Sequence, residues 1–188
     1  MNARPEPVPI ADGMPFRLMG EKVVLREKRL DDADDDYDWR SDPELATFDA
    51  VPALRMSRND FRRIFERDLA NPYPRQLNLS IEDAMTGIHI GNCMFYDYDE
   101  YRGEAELGIM IGHKDYWGQG YGSEAIALFT NYLFNERGLK RIYLHTLKWN
   151  TRAQKAFAKV GFTPVREVMR NGYLFILMEL LLPDAPQA

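Results

Sequence analysis

The longest continuous pattern of apolar and polar positions runs from Glu106 to Glu136. ELGIMI (106–111) is a short apolar run with β-branched positions, closed by Gly112, and reads as a buried strand. Gly118, Gly120 and Gly122 then alternate with Gln119 and Tyr121. From there Tyr121, Ala125, Leu128, Phe129, Tyr132 and Leu133 recur at helical spacing, with Ser123 and Glu124 in the first turn. Alternating glycines let the backbone turn tightly and approach a ligand. A strand feeding such a turn at a helix N-terminus presents unpaired N–H groups and the positive end of the helix dipole, which suits an anion.

The rest of the chain falls around this unit. Lys22–Arg26 alternates and is β-branched, so it reads as the first strand. LDDADDDYDW (30–39) reads as a short helix, because acids are favourable in a first turn. Ser41-Asp42-Pro43 marks a turn or a new helix start. Ser57 is an N-cap for a helix with Phe61, Ile64, Phe65 and Leu69 on one face, ended by Asn71-Pro72. Gln76–Glu82 and Ile88–Tyr96 form a hairpin around Asp83–Gly87, and a tyrosine-rich loop from Tyr96 to Tyr101 leads to the central strand. Past the long helix, Arg141–Leu147 is a strand, and Thr151–Val160 is a helix with Ala153, Ala156, Phe157 and Val160 inward and Gly161 as its C-cap. Thr163–Met169 and Tyr173–Leu182 close the chain as a hairpin around Asn171-Gly172. Residues 1–15 and 183–188 read as tails.

The expected order is strand, two helices, three strands, helix, strand, helix, two strands. Antiparallel hairpins combine with one parallel crossover through the long helix, giving an α+β fold on a mixed sheet. The length fits one domain over 1–188, with a core from about residue 20 to 182.

Composition narrows the classes. No apolar run reaches transmembrane length, so no membrane role is expected. MNARPEPVPIADG has no apolar segment of the kind a signal peptide needs. Cys93 is the single cysteine, which excludes an internal disulfide and suits a reducing, cytoplasmic setting. The net charge of −5 is unevenly spread: Arg137 to Arg170 holds nine basic residues and one acid, Glu167. That segment begins where the glycine-loop helix ends and suits a polyanionic cofactor such as coenzyme A; the plain alternative is a scatter of solvated side chains. The acidic molecule as a whole argues against a nucleic-acid partner.

Two familiar phosphate loops fail to match. A P-loop requires Gly-Lys-Ser/Thr, and no Lys separates Gly122 from Ser123. A dinucleotide fingerprint requires an acid at the end of the following strand, but IYLHTL is followed by Lys148. Trp117-Gly118-Gln119-Gly120-Tyr121-Gly122 instead resembles the pyrophosphate loop of the GNAT N-acetyltransferases, Arg/Gln-x-x-Gly-x-Gly/Ala, except at its first position. Asn150-Thr151-Arg152-Ala153 followed by Lys159-Val160-Gly161-Phe162 resembles the second half of the same core. DYWGQGYGSEA and LREKRLDDADDDYDW are similar to the ribosomal-protein N-terminal acetyltransferase and spermidine acetyltransferase branches. The likeness spans about Lys22 to Leu181.

That resemblance implies acetyl-CoA as co-substrate and no metal. Acetyl-CoA would enter where the central strand and its parallel neighbour splay. Ile109, Met110 and Ile111 would offer backbone groups to the pantetheine arm, although the same residues are a plain core strand by side chain. Amides from Gln119 to Ser123 would hold the pyrophosphate behind Trp117 and Gly118. Asn150 would bond the pantetheine or acetyl region, and Lys155 would approach the nucleotide end. Relatives often dimerise, so a homodimer is part of the expectation.

Acetyl transfer to an amine requires loss of a proton before attack and favours protonation of the leaving thiolate. His145 and Glu106, on strands flanking the splay, are the candidates for the base; the alternatives are a hydrogen-bonded strand histidine and a solvated strand-end acid. His113, in the turn, suits the role less well. Cys93 fits a small buried thiol better than an acetyl carrier. Many relatives place a Tyr four residues before the Gly of Gly-Phe to protonate the thiolate, and here that position is Phe157. The first expectation is therefore an N-acetyltransferase acting by direct attack in a ternary complex on a primary amine: a protein N-terminus, a polyamine or a small amine. Phe157 favours the alternative, a catalytically weak acetyl-CoA-binding regulatory module on the same fold. A third class, a nucleotide-binding oxidoreductase, predicts stabilisation by NAD and not by CoA. The acidic run, with Tyr96, Tyr98 and Tyr101, would suit a cationic acceptor; otherwise the acids are a solvated helix start.

Overall fold

A computed structural model describes residues 16–73 and 75–182; the two expected tails lie outside them. Eight strands form one sheet: β1 (Arg17–Met19), β2 (Val23–Glu27), β3 (Leu77–Asp83), β4 (His89–Asp99), β5 (Glu104–Ile111), β6 (Arg141–Leu147), β7 (Thr163–Arg170) and β8 (Tyr173–Leu181). Their spatial order is β1-β2-β3-β4-β5-β6-β8-β7. Every neighbouring pair is antiparallel except β5 and β6. Five α-helices accompany them: α1 (Ala33–Ser41), α2 (Pro43–Phe48), α3 (Arg58–Ala70), α4 (Tyr121–Asn135) and α5 (Thr151–Val160).

Helix α4 carries the parallel crossover and buries Ala125, Ile126, Phe129 and Leu133 against Leu25, Ile81 and Phe95 of the sheet. Side chains alternate along a strand. Cys93 and Phe95 of β4 therefore face α4, while Asn92, Met94 and Tyr96 face the other side. There Asn92 donates to Asp36 of α1 at 2.6 Å. The two faces thus have different chemistry: an apolar core under α4 and α5, and polar side chains under α1.

Three differences from the sequence expectation stand out. β1 adds an eighth strand; with only Leu18 turned inward, three residues carry too little alternation to be seen. A third helix, α2, separates the two expected ones, started by Asp42, whose carboxylate accepts from the Glu44 and Leu45 amides, and by Pro43 in its first turn. The expected Tyr96–Tyr101 loop is mostly strand: β4 continues to Asp99 through a bulge, with Asp97 at φ +51°.

The end of β5 is locked to α1. A Cβ on Gly112 would lie 2.0 Å from the buried Trp39 indole, which also packs on the His89 ring at 4.7 Å. Gly112→Ala is expected to cost about 1–3 kcal/mol, seen as a lower urea midpoint at unchanged slope.

Candidate active site

The parallel pairing of β5 with β6 covers only Glu104↔Arg141, Ala105↔Ile142 and Glu106↔Tyr143. Past Glu106 both strands continue, to Ile111 and Leu147, without pairing to each other. In this stretch β6 therefore bonds none of the backbone groups that β5 turns toward it. A cavity of about 1050 Å³ opens there, bordered by Ile109, Met110 and Ile111, by the glycine loop and by Asn150.

At the point of separation, Glu106 and His145 meet. Their parent strands place both on the α1 face, since His145 lies two residues beyond Tyr143, the partner of Glu106. His145 Nδ1 is 2.7 Å from Glu106 Oε1, and both side chains are buried while bordering the cavity. An ionised carboxylate only accepts, so in the neutral ring it favours the tautomer with the proton on Nδ1 and the lone pair on Nε2. Tyr96 is the cross-strand neighbour of Glu106. Burial first, and then the charge and hydrogen bond of Glu106, push its phenol well above the ordinary range. Tyr96 therefore stays protonated and able to donate.

At the far end of the cavity, Gly118 (φ +73°) and Gly120 (φ +91°) take left-handed backbone conformations that side chains resist. Gly120 precedes α4, and no side chain caps that helix. The amides of Tyr121, Gly122 and Ser123 occupy its first turn, where no intrahelical partner exists. The loop is braced from outside: the Tyr121 hydroxyl donates to Asp83 at 2.9 Å, the Trp117 indole donates to the Ile111 carbonyl at 2.6 Å, and the Gln119 side chain donates to the Asp115 carbonyl. Lys22 Nζ donates to the Gln119 carbonyl at 2.8 Å. Lys22 and Lys159 border a smaller cavity beside the loop, together with Gln119.

The remaining expected residues sort clearly. Asn150 caps α5, its Oδ1 accepting from the Ala153 amide at 3.2 Å, and the residue borders the cavity. Phe157 is buried against Phe162, with ring centroids 5.9 Å apart, and also borders the cavity. Lys155 borders neither cavity, whereas Lys22 and Lys159 border the smaller one. Lys22 lies 97 residues from Gln119, and no local motif links the two. His113 lies outside the lining. Cys93 is fully covered and burial pushes its thiol far up, so it is a neutral core group. Of the three tyrosines expected to attract a cation, Tyr96 borders the cavity; Tyr98 packs on Phe95 and Tyr101 is fully exposed.

The acidic run is largely neutralised within the chain. Asp34 and Asp38 bind Arg58, Asp34 also binds Arg62, Asp36 binds Lys28, and Asp35 meets His89 at 3.1 Å. Asp32 is buried beneath α1, held by Arg26. Among the described residues no cluster of His, Cys, Asp or Glu is arranged to hold a metal ion, and no helix is long and apolar enough to cross a membrane.

Comparison with known proteins now gives this arrangement a setting. Residues 22–163 match the family model for the acetyltransferase (GNAT) domain. An uncharacterized N-acetyltransferase p20 from Bacillus licheniformis is 30% identical over 148 residues, covering 77% of this chain and 81% of that protein. Among solved structures, the spermidine N-acetyltransferase of Vibrio cholerae in complex with CoA and spermine superposes with a TM-score of 0.75 at 18% identity, covering 86% of this chain and 96% of that one. The ribosomal-protein-S5-alanine acetyltransferase of Vibrio fischeri gives a TM-score of 0.70 at 17% identity, covering 90% and 98%.

Proposed function

Since the chain belongs to the GNAT acetyltransferase family, we propose that it transfers the acetyl group of acetyl-CoA to a primary amine by direct attack in a ternary complex. The observation that carries this reading is the separation of β5 from β6 immediately beyond Glu106, with a proton-accepting pair at one end of the gap and an uncapped helix N-terminus at the other.

The donor set fits coenzyme A. The amides of residues 119–123 suit a diphosphate, the unpaired β5 edge at Ile109–Ile111 suits the amides of a pantetheine arm, and Lys22 and Lys159 add positive charge beside the loop. The presence of CoA in the Vibrio cholerae relative supports the same ligand. When bound, acetyl-CoA supplies an already activated thioester, so no nucleophilic side chain is needed. His145 takes the amine proton at Nε2, directly or through one water, while Glu106 holds the ring and balances the imidazolium charge. Main-chain N–H groups near Ile109 are available to a carbonyl oxygen gaining negative charge. Phe157 has no proton to give, so the thiolate leaves through water or with a proton from another group. The acceptor is a protein N-terminus, a polyamine or a small amine, entering from the side of α1, α3 and Tyr96. Because the α1 acids are already paired, Tyr96 and the cavity shape carry more of the acceptor recognition than the acidic run does.

Phe157 gives the second reading its support: an acetyl-CoA binder with little turnover. Free-thiol release from acetyl-CoA in the presence of an amine panel separates the two. Thiol release with at least one amine, together with thermal stabilisation by acetyl-CoA, is the expected result. Stabilisation without release on any amine would establish the binder, and stabilisation by NAD alone would remove both.

A further inference from the structure

Trp117 occupies the loop position where the general pyrophosphate pattern has Arg or Gln, so the loop carries no guanidinium of its own there. The structure brings one to the same place from another element. Arg152, in the first turn of α5, lays its guanidinium over Trp117, with Cζ 3.5 Å from the ring centroid, and also lies 5.0 Å from the Phe48 ring. The indole beneath it is fixed, because its N–H is bonded to Ile111 at the end of β5. Arg152 borders the same cavity as Gly118, Gly120, Ser123 and Asn150.

No carboxylate pairs with this cation among the described residues. The acid that acts on its charge, Glu44, is itself held by Lys114 Nζ at 2.6 Å. Covering by its aromatic neighbours lowers the Arg152 pKa from the ordinary guanidinium value, yet a guanidinium stays charged in a protein. The result is an oriented, unpaired planar cation on an exposed residue, stacked on the indole of the glycine loop and bordering the same cavity as that loop. Stacking restricts the side chain in advance, so little rotamer entropy remains to be lost on binding.

We propose that Arg152 is a diphosphate-binding residue: presented across the loop by α5 and held flat on Trp117, its guanidinium supplies the charge that the loop lacks and bonds a diphosphate oxygen of coenzyme A. This rests on the coenzyme reading above. The partners divide by position, with Arg152 on the inner side of the loop and Lys22 and Lys159 on the outer side. A fork of parallel N–H donors suits a diphosphate better than an ammonium does.

The test uses the full chain and three ligands. CoA carries the diphosphate and the 3′-phosphate, dephospho-CoA lacks the 3′-phosphate, and pantetheine lacks both. Arg152→Met is expected to weaken CoA and dephospho-CoA by the same factor, about ten- to a hundred-fold, in calorimetry, and to leave pantetheine binding, followed by NMR titration, unchanged. Arg152→Lys should recover only part of the loss. Equal affinity of wild type and Arg152→Met for CoA would overturn the proposal. So would a loss confined to CoA, which would assign Arg152 to the 3′-phosphate, or an equal loss for pantetheine, which would assign it to the arm or to folding. Failure of the wild type itself to bind CoA would instead overturn the coenzyme reading.

Discussion

His145→Gln and Glu106→Gln are each expected to lower kcat for amine acetylation by about 10²–10⁴-fold, with the CoA dissociation constant unchanged. The 2.7 Å bond from His145 Nδ1 to Glu106 fixes which ring nitrogen is free. A glutamine in place of Glu106 no longer carries the charge that balances an imidazolium, and its amide N–H favours the tautomer with Nε2 protonated. Both changes therefore disable the same lone pair. If the two residues act as one unit, the double variant should lose no more than the worse single variant. Neither side chain belongs to the glycine loop or the β5 edge that would hold the coenzyme, which is why binding and turnover should separate. Normal kcat in His145→Gln would show that the amine loses its proton elsewhere. Losses that multiply in the double variant would show two independent roles. Rates are compared by thiol release at saturating acetyl-CoA and amine, and affinities by calorimetry.

The legible parts of this chain were those whose physics is local. Helical spacing, an Asn cap and a Gly stop define α5, and its observed bounds, Thr151–Val160, are those the spacing predicts. The glycine alternation gave the loop, because Gly118 and Gly120 adopt positive φ for reasons contained within a few residues. Glu106 and His145 could each be placed on a strand beside the splay. Their direct contact depends on the register of a three-residue parallel pairing, which no local pattern encodes. The same holds for Lys22 on the Gln119 carbonyl and Arg152 on Trp117, which join segments distant in sequence. The acidic run was legible in part. Its composition suggested a solvated helix start or a rim for a cation; Asp31, Asp34 and Asp38 are exposed, but Asp32 and Asp36 are buried, Asp32 held by Arg26 and Asp36 by Lys28 and Asn92.

Arg26→Met is expected to destabilise the fold by about 3–5 kcal/mol at neutral pH, a large part of the ~5–15 kcal/mol that holds a typical domain together. Arg26 is buried between two carboxylates. Its Nη1 and Nη2 donate to Asp32 at 2.7 Å each, and its Nε donates to Glu82 at 2.5 Å. Asp32 also accepts from the Arg29 amide and the Ser80 hydroxyl, both at 2.7 Å. Burial alone would raise the Asp32 pKa, but the Arg26 bonds, then the Arg29 amide and Ser80, outweigh it and hold the carboxyl below the usual carboxylate range. The sign of the pH dependence follows. This stabilisation is fully present above the unfolded-state pKa of about 3.9, and it is lost as pH falls through the lower folded-state value. In the variant Asp32 faces no guanidinium and Glu82 keeps only the longer contacts to Arg17 and Arg29, at 3.6 and 3.7 Å, so protonation relieves the pair. The gap in urea midpoint between wild type and Arg26→Met should therefore be widest near neutrality and narrow toward pH 4. A gap independent of pH would mean that Arg26 acts through packing alone. Replacing the whole triad by apolar residues, Arg26→Met with Asp32→Leu and Glu82→Leu, should recover much of the loss, because the cost lies in stranding charges rather than in lacking them. Lack of recovery would assign the cost to the Arg29 amide and Ser80, which the triple variant leaves without their acceptor. The triad thereby joins β2 and β3 to the turn before α1.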